Sequence, residues 1–203
     1  MSAHPTVGRS VGRSVGPRVD GPRVVVLNGG SSSGKSALSA VLVDLLPGTW
    51  LRLNVDTLID ALPSSFDEVE GGLVLRPDGT IETGPEWRRV ERAWMGGIAA
   101  VAREVAVVVE DGFLSGPVAQ QRWREALEGM QVLWVGVRCD PEVAAARERD
   151  RGDRVLGMAR AQALSVHEGI DYDLEVDTSG SSPKECAAVV AAHVSTPDGP
   201  NPR

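Results

Sequence analysis

Residues 24–36 read Val-Val-Val-Leu-Asn-Gly-Gly-Ser-Ser-Ser-Gly-Lys-Ser, and they decide the fold. Val24–Leu27 is an unbroken apolar run ended by Asn28-Gly29-Gly30, the pattern of a strand buried on both faces. Residues 29–36 then match G-x-x-x-x-G-K-[S/T], placed after that strand and ahead of a helix with Leu38, Val41, Leu42, Leu45 and Leu46 on one face. Glycines at 29, 30 and 34 let the backbone curl so that the N–H groups of Ser31, Ser32 and Ser33 point inward. The helix N-terminus adds partial positive charge, so the loop is expected to cradle phosphates. Lys35 would reach the β- and γ-phosphates of ATP, and the Ser36 hydroxyl would hold Mg²⁺. Two of the 21 basic residues are lysines, Lys35 and Lys184. In a chain that otherwise uses arginine, a lysine marks a place where a compact ammonium is wanted.

Outward from this loop, strand and helix signals alternate. Strands are expected at Trp50–Val55, Val105–Val109, Val132–Val137 and Leu174–Val176. A short helix to Leu62 follows the first, and helices are expected near 85–103, 117–128, 141–149, 153–167 and 183–194. Residues 64–83 read as a loop with a hairpin around Pro77-Asp78-Gly79. Such alternation predicts an α/β fold with a parallel sheet covered on both faces, and ligands at the carboxyl ends of the strands.

The flanks differ. Residues 1–23 hold four arginines against Asp20 and repeat Val-Gly-Arg-Ser at 7–10 and 11–14. With no hydrophobic stripe, they are expected to be a disordered extension, and residues 196–203, with Pro197, Pro200 and Pro202, a disordered tail. Residues 24–195 form the expected domain. A formal net charge of −7 argues against a nucleic-acid partner, and no apolar run is long enough for a membrane span. Two cysteines, Cys139 and Cys186, share no metal-ligand spacing with His4, His167 or His193, which suits a reduced, cytoplasmic setting.

A phosphate loop alone does not separate a kinase from a switch or a simple ATPase. Asp56 closes the second strand, where a carboxylate could take the proton of an attacking hydroxyl or cap the next helix. Glu110 and Asp111 end the third strand. Either could hold Mg²⁺, and Asp111 aligns better with a role for the loop that follows. Arg147, Arg151 and Arg154 share a helical face if the helix continues through Gly152. They could close over the triphosphate, or form an exposed face of ion pairs. The tryptophans read as core or substrate wall, with Trp134 in the core.

Together with the phosphate loop, several stretches closely resemble the chloramphenicol 3-O-phosphotransferases. They include Val55-Asp56, Glu70-Gly71-Gly72, Gly84-Pro85-Glu86, Val132–Asp140, Arg151–Val155, His167-Glu168-Gly169 and Glu175–Thr178. The resemblance runs from about Val24 to Val194. It implies a nucleotide-kinase-like, five-stranded parallel sheet and transfer of the γ-phosphoryl of ATP to the primary hydroxyl of chloramphenicol. It implies further that Asp56 is the catalytic base and that Arg154 contacts phosphate from a lid-like segment; from the motif and the arginine cluster, Lys35 is expected to share the phosphoryl charge and Arg151 to contact the nucleotide. Ser64–Val69, Val74–Glu82, Trp87–Glu91 and Gly112 depart from the family pattern where an acceptor pocket would be walled. Another small hydroxylated acceptor, or a regulatory or toxin-like nucleotide-binding module, therefore stays open.

Overall fold

A computed structural model describes residues 21–68, 70–76, 80–151 and 157–195. Its centre is a five-stranded sheet built from β1 (Val24–Asn28), β2 (Trp50–Asn54), β5 (Ala106–Asp111), β6 (Val132–Arg138) and β7 (Leu174–Asp177). The strand order is β2-β5-β1-β6-β7, and every pairing is parallel. The short strands β3 (Leu73–Leu75) and β4 (Ile81–Thr83) pair antiparallel as a separate hairpin. The hairpin tip expected at Pro77-Asp78-Gly79 lies outside the described residues.

Parity along β1 sorts the core. Val25 and Leu27 face α1 (Lys35–Leu45) and α7 (Pro183–Val194), packing with Leu38, Leu42, Ala187 and Val190. Val24 and Val26 face α3 (Pro85–Glu104) and α4 (Pro117–Ala126), packing with Met95, Ile98, Ala119 and Trp123. Burial on both faces explains why this strand reads as an unbroken apolar run. Leu45, expected on the buried face of α1, is instead exposed, because α1 ends there and Leu46 turns back into the core. Trp134 is half-buried at the margin of the second layer, with the Arg124 guanidinium 5.8 Å from its ring centroid.

Order begins earlier in the chain than the sequence suggests. The carbonyl of Arg23 accepts from the Val107 amide at 2.9 Å, and its guanidinium reaches the carbonyl of Glu104 at 2.8 Å. The remainder of the expected extension, residues 1–20, and the tail from 196 lie outside the described residues.

β1 is central, with β5 on one side and β6 on the other, so the loops leaving these strands diverge and open a crevice at their carboxyl ends. Three structures frame it: α2 (Val55–Asp60), the hairpin, and the pair α5 (Pro141–Arg151) and α6 (Met158–Ser165). Glu148 of α5 is almost fully buried. Its carboxylate accepts from the amides of Gly157 and Ala159, each at 2.7 Å, and so caps the start of α6.

Candidate active site

The loop between β1 and α1 turns tightly because its glycines leave no room for a side chain. A Cβ on Gly29 would lie 2.6 Å from the Val137 carbonyl oxygen, and one on Gly30 would meet Gln162 at 3.0 Å. Ser32 takes a left-handed backbone conformation with φ of 56°, the one non-glycine residue to do so among the described residues. The hydroxyls of Ser32 and Ser33 are buried without a hydrogen-bond partner. Of the amides expected to point inward, that of Ser31 donates to Gln162 and that of Ser33 to the Gly30 carbonyl at 3.3 Å, so the unpartnered donors here are the two hydroxyls, at a helix N-terminus that favours phosphate. Lys35 Nζ donates to the carbonyls of Gly29 at 2.5 Å and Gly30 at 2.8 Å.

Two side chains hold this loop: Gln162, which the sequence reading did not single out, and Thr178, which it placed only within a stretch of family resemblance. Gln162 of α6 accepts from the Ser31 amide at 2.8 Å. Thr178, just past β7, donates to the Ser33 carbonyl at 2.6 Å. Arg147 donates to the Thr178 carbonyl at 2.7 Å, which ties α5 to the same point. A lone Gln in a helix and a Thr after a strand carry no local signature, and only the tertiary contacts reveal them.

The carboxylates at the end of β5 part company. Glu110, 3% exposed, accepts from the Ser36 hydroxyl at 2.6 Å and from the Ser39 hydroxyl, with Arg52 Nε 3.5 Å away. Asp111 accepts from the Gly112 amide at 2.7 Å and from Trp123 Nε1 at 2.6 Å. Burial pushes the Asp111 carboxyl above the usual range, against the pull of those two hydrogen bonds and of Lys35 and Arg122. The acid in contact with Ser36 is thus Glu110, while Asp111, read from the sequence as its companion at the metal, is bonded to Trp123 and Gly112. Both line the crevice.

Asp56 lies in the first turn of α2. The capping role open to it in the sequence belongs to Asn54, whose side chain accepts from the Thr57 amide at 2.7 Å. Asp56 lines one cavity of about 650 Å³ with Lys35, Ser36, Glu110, Asp111 and Arg151. The far wall is apolar, with Ile59, Leu73, Ile81 and Leu114, and Trp87 and Glu91 of α3 close it. Arg154 lies outside the described residues. His167 is buried and bonded to the Tyr172 hydroxyl at 2.7 Å, outside the crevice lining, while His193 is exposed. Cys139 and Cys186 are buried free thiols.

Among the described residues no group of three or more His, Cys, Asp or Glu could cage a metal. Mg²⁺ needs no such cage: it keeps several waters and binds through one or two protein oxygens plus phosphate. The Ser36 hydroxyl beside the Glu110 carboxylate is a donor set of that kind. No described helix is long and apolar enough to cross a membrane.

A phosphate loop on a doubly covered parallel sheet, open to a cavity with an apolar far wall, defines the class of P-loop kinases. Within it, the chain belongs to the family described as "Chloramphenicol phosphotransferase-like protein", whose model matches residues 22–195. A Mycobacterium tuberculosis H37Rv protein, whose name assigns it only provisionally as an O-phosphotransferase, is 31% identical over 180 residues, covering 81% of this chain and 79% of its own. Solved structures agree on the fold. A sugar kinase from Janibacter sp. HTCC2649 matches with a TM-score of 0.61 at 17% identity, over 89% of this chain and 99% of its own. The Deinococcus radiodurans tunicamycin resistance protein matches with a TM-score of 0.60 at 21% identity, over 84% and 94%. A gluconokinase from Sinorhizobium meliloti 1021 matches with a TM-score of 0.58 at 20% identity, over 87% and 92%. The expected fold class is therefore met, and the family makes the chain a small-molecule O-phosphotransferase of the P-loop kinase type.

Proposed function

We propose that the protein transfers the γ-phosphoryl group of ATP to a hydroxyl of a small molecule, with the primary hydroxyl of chloramphenicol as the leading acceptor. One observation carries this reading: a single cavity is lined together by the phosphate loop, by Asp56 and by apolar side chains. In the reaction the acceptor oxygen bonds to the γ-phosphorus. The bond from that phosphorus to the bridging oxygen breaks, its electron pair leaves with ADP, and the acceptor proton passes to Asp56. Lys35 and the loop amides offset charge on the phosphoryl oxygens. Arg151 from α5, and Arg154 through the family resemblance, are assigned to the same task. Ser36 with Glu110 would hold Mg²⁺, directly or through water, and the ion would supply charge neutralisation on the phosphates. Asp111 backs that end of the cavity. Two free buried thiols suit a reducing, cytoplasmic setting.

The apolar wall suits an acceptor with an apolar body, as chloramphenicol has. Yet Ile81 and Trp87, which help build it, come from stretches that depart from the family pattern, and this favours a second reading in which the same chemistry serves another hydroxylated compound. Incubation with MgATP and a panel of hydroxylated acceptors, followed by ADP release and product mass, tests both. Chloramphenicol is expected to gain one phosphoryl group with the highest kcat/KM of the panel. A better acceptor would move the assignment to that compound, and bound ATP with no acceptor-dependent turnover would reject the kinase reading.

A further inference from the structure

The carboxylates that meet the cavity are not equivalent in what they have left to give, and one of them, Asp150 of α5, is exposed to solvent. Both oxygens of Asp111 already accept hydrogen bonds, from Gly112 and Trp123. Glu110 is engaged by Ser36 and Ser39. Asp56 is committed to the hydroxyl that reacts. Glu91 differs. It projects from α3 one turn after Trp87, and both residues line the cavity. Its Oε2 lies 2.9 Å from Arg122 Nη2 of α4, with side chains 12% and 13% exposed. That separation gives charge attraction, but Glu91 Oε2 and Arg122 Nε and Nη2 are all buried without a hydrogen bond of ordinary geometry. A buried ion pair with unfilled polar atoms is costly to hold in a wall otherwise made of Ile59, Leu73, Ile81 and Leu114. These atoms are sealed from the cavity, so Arg122 holds Oε2 from behind while the rest of the Glu91 side chain meets the cavity as a carboxylate of fixed position.

We infer that Glu91, held in place by Arg122, is a specificity-determining residue that accepts a hydrogen bond from a second donor group on the acceptor, apart from the hydroxyl that takes the phosphoryl. This rests on the phosphotransfer reading above and deepens it. The acceptor would be a neutral or cationic molecule with an apolar body and two separated donors, one set against Asp56 and one against Glu91. Anionic acceptors would meet Asp56, Glu91 and Asp111 together and be disfavoured by like charge. Burial lifts the Glu91 carboxyl above its ordinary range and nearby Asp111 adds to this, while Arg122, the Trp87 indole and Arg88 pull it back toward the ionised form.

The test uses chloramphenicol and two analogues that each lack one further donor, the benzylic hydroxyl removed in one and the amide nitrogen methylated in the other. In the unaltered protein, loss of the donor that Glu91 reads should lower kcat/KM about tenfold or more. Glu91→Leu, which removes the acceptor, should lower it on chloramphenicol by a similar factor, leave that one analogue almost unaffected, and leave the KM for ATP unchanged. Equal analogue penalties in both proteins would overturn the inference, as would a parallel rise in the KM for ATP, which marks a merely structural role. Acceptor binding, followed by quenching of tryptophan fluorescence, separates this claim from the function on which it rests. Binding that depends on Glu91 without phosphorylation would reject the kinase reading and keep Glu91. Phosphorylation without that dependence would do the reverse, and no binding by any of the three compounds would reject both. If Glu91→Leu does not fold because Arg122 is left unpaired, Glu91→Leu with Arg122→Met removes both charges and serves in its place.

Discussion

The Thr178 hydroxyl donates to the Ser33 carbonyl at 2.6 Å, joining the end of the last strand to the middle of the phosphate loop. Arg147 grips the Thr178 carbonyl from α5, so three separate parts of the chain meet at one residue. Thr178→Val keeps the shape and removes the donor. It should cost about 1–2 kcal/mol in urea unfolding, the usual size for a buried hydrogen bond whose acceptor is left unpaired. Because the loop loses a brace, the KM for ATP should rise about five- to tenfold with the acceptor KM little changed. A stability loss with an unaltered ATP KM would show that the brace has no bearing on nucleotide binding.

The outline of the fold was legible because the signals were local. Apolar runs, Pro and Gly stops and the loop motif placed α7 at the residues observed and most other elements within a few. What stayed hidden depended on which way a side chain points. In the sheet Glu110 pairs with Leu27 and Asp111 with Asn28. Leu27 belongs to the layer under α1, so Glu110 shares that face and reaches Ser36 and Ser39. Asp111 turns the other way, toward Trp123 of α4. A run ending Glu-Asp does not reveal its parity until the strand's register is known. The same holds for Gln162 and Glu91, ordinary helix residues whose roles come from elements far away in the chain. Asp56 was legible as a carboxylate at a strand tip. The sequence could not show that Asn54, two residues earlier, takes the cap and leaves Asp56 to the cavity.

Parity gives a prediction at the metal. Glu110→Gln keeps an oxygen for the serine hydroxyls but removes the charge. It should raise the Mg²⁺ concentration for half-maximal activity about tenfold, as loss of a positioned metal partner typically does. Asp111→Asn should shift that midpoint less, since Asp111 is bonded to Gly112 and Trp123 whereas Glu110 is the acid in contact with Ser36. Magnesium titrations of initial rate at saturating ATP compare the two. A larger shift in Asp111→Asn would return the metal role to Asp111.

Asp56→Asn should lower kcat by about 10²–10⁴, the range for a positioned general base, while leaving the ATP dissociation constant unchanged. The asparagine matches the carboxylate in size, so α2 and its Asn54 cap should persist, and the thermal midpoint should move by no more than a few degrees. Single-turnover transfer with labelled ATP reads the chemical step directly. A fall below tenfold would remove proton acceptance from Asp56 and leave it a cavity-lining carboxylate.

His167 offers a prediction about pH. It is 5% exposed and bonded to Tyr172, whose hydroxyl also accepts from Asn28 just ahead of the phosphate loop. Burial first, then Arg138 and Lys35, push its pKa down to about 4, with Glu175 and the Val137 carbonyl acting the other way. The unfolded chain titrates near the ordinary value of 6.5, so between these limits it binds a proton that the folded chain refuses. Stability from this group is complete above pH 6.5 and is lost as the pH falls toward 4. At pH 5 the full shift corresponds to about 2 kcal/mol, and allowing for solvent near the ring edge leaves roughly 1 kcal/mol. His167→Gln cannot take up that proton. Its urea midpoint should therefore fall less between pH 7 and pH 5 than the midpoint of the unaltered protein, even if it starts lower. Because acid-sensitive carboxylates are common to both proteins, the difference between the two slopes isolates the histidine, and parallel slopes would mean that His167 is protonated in the folded state over this range.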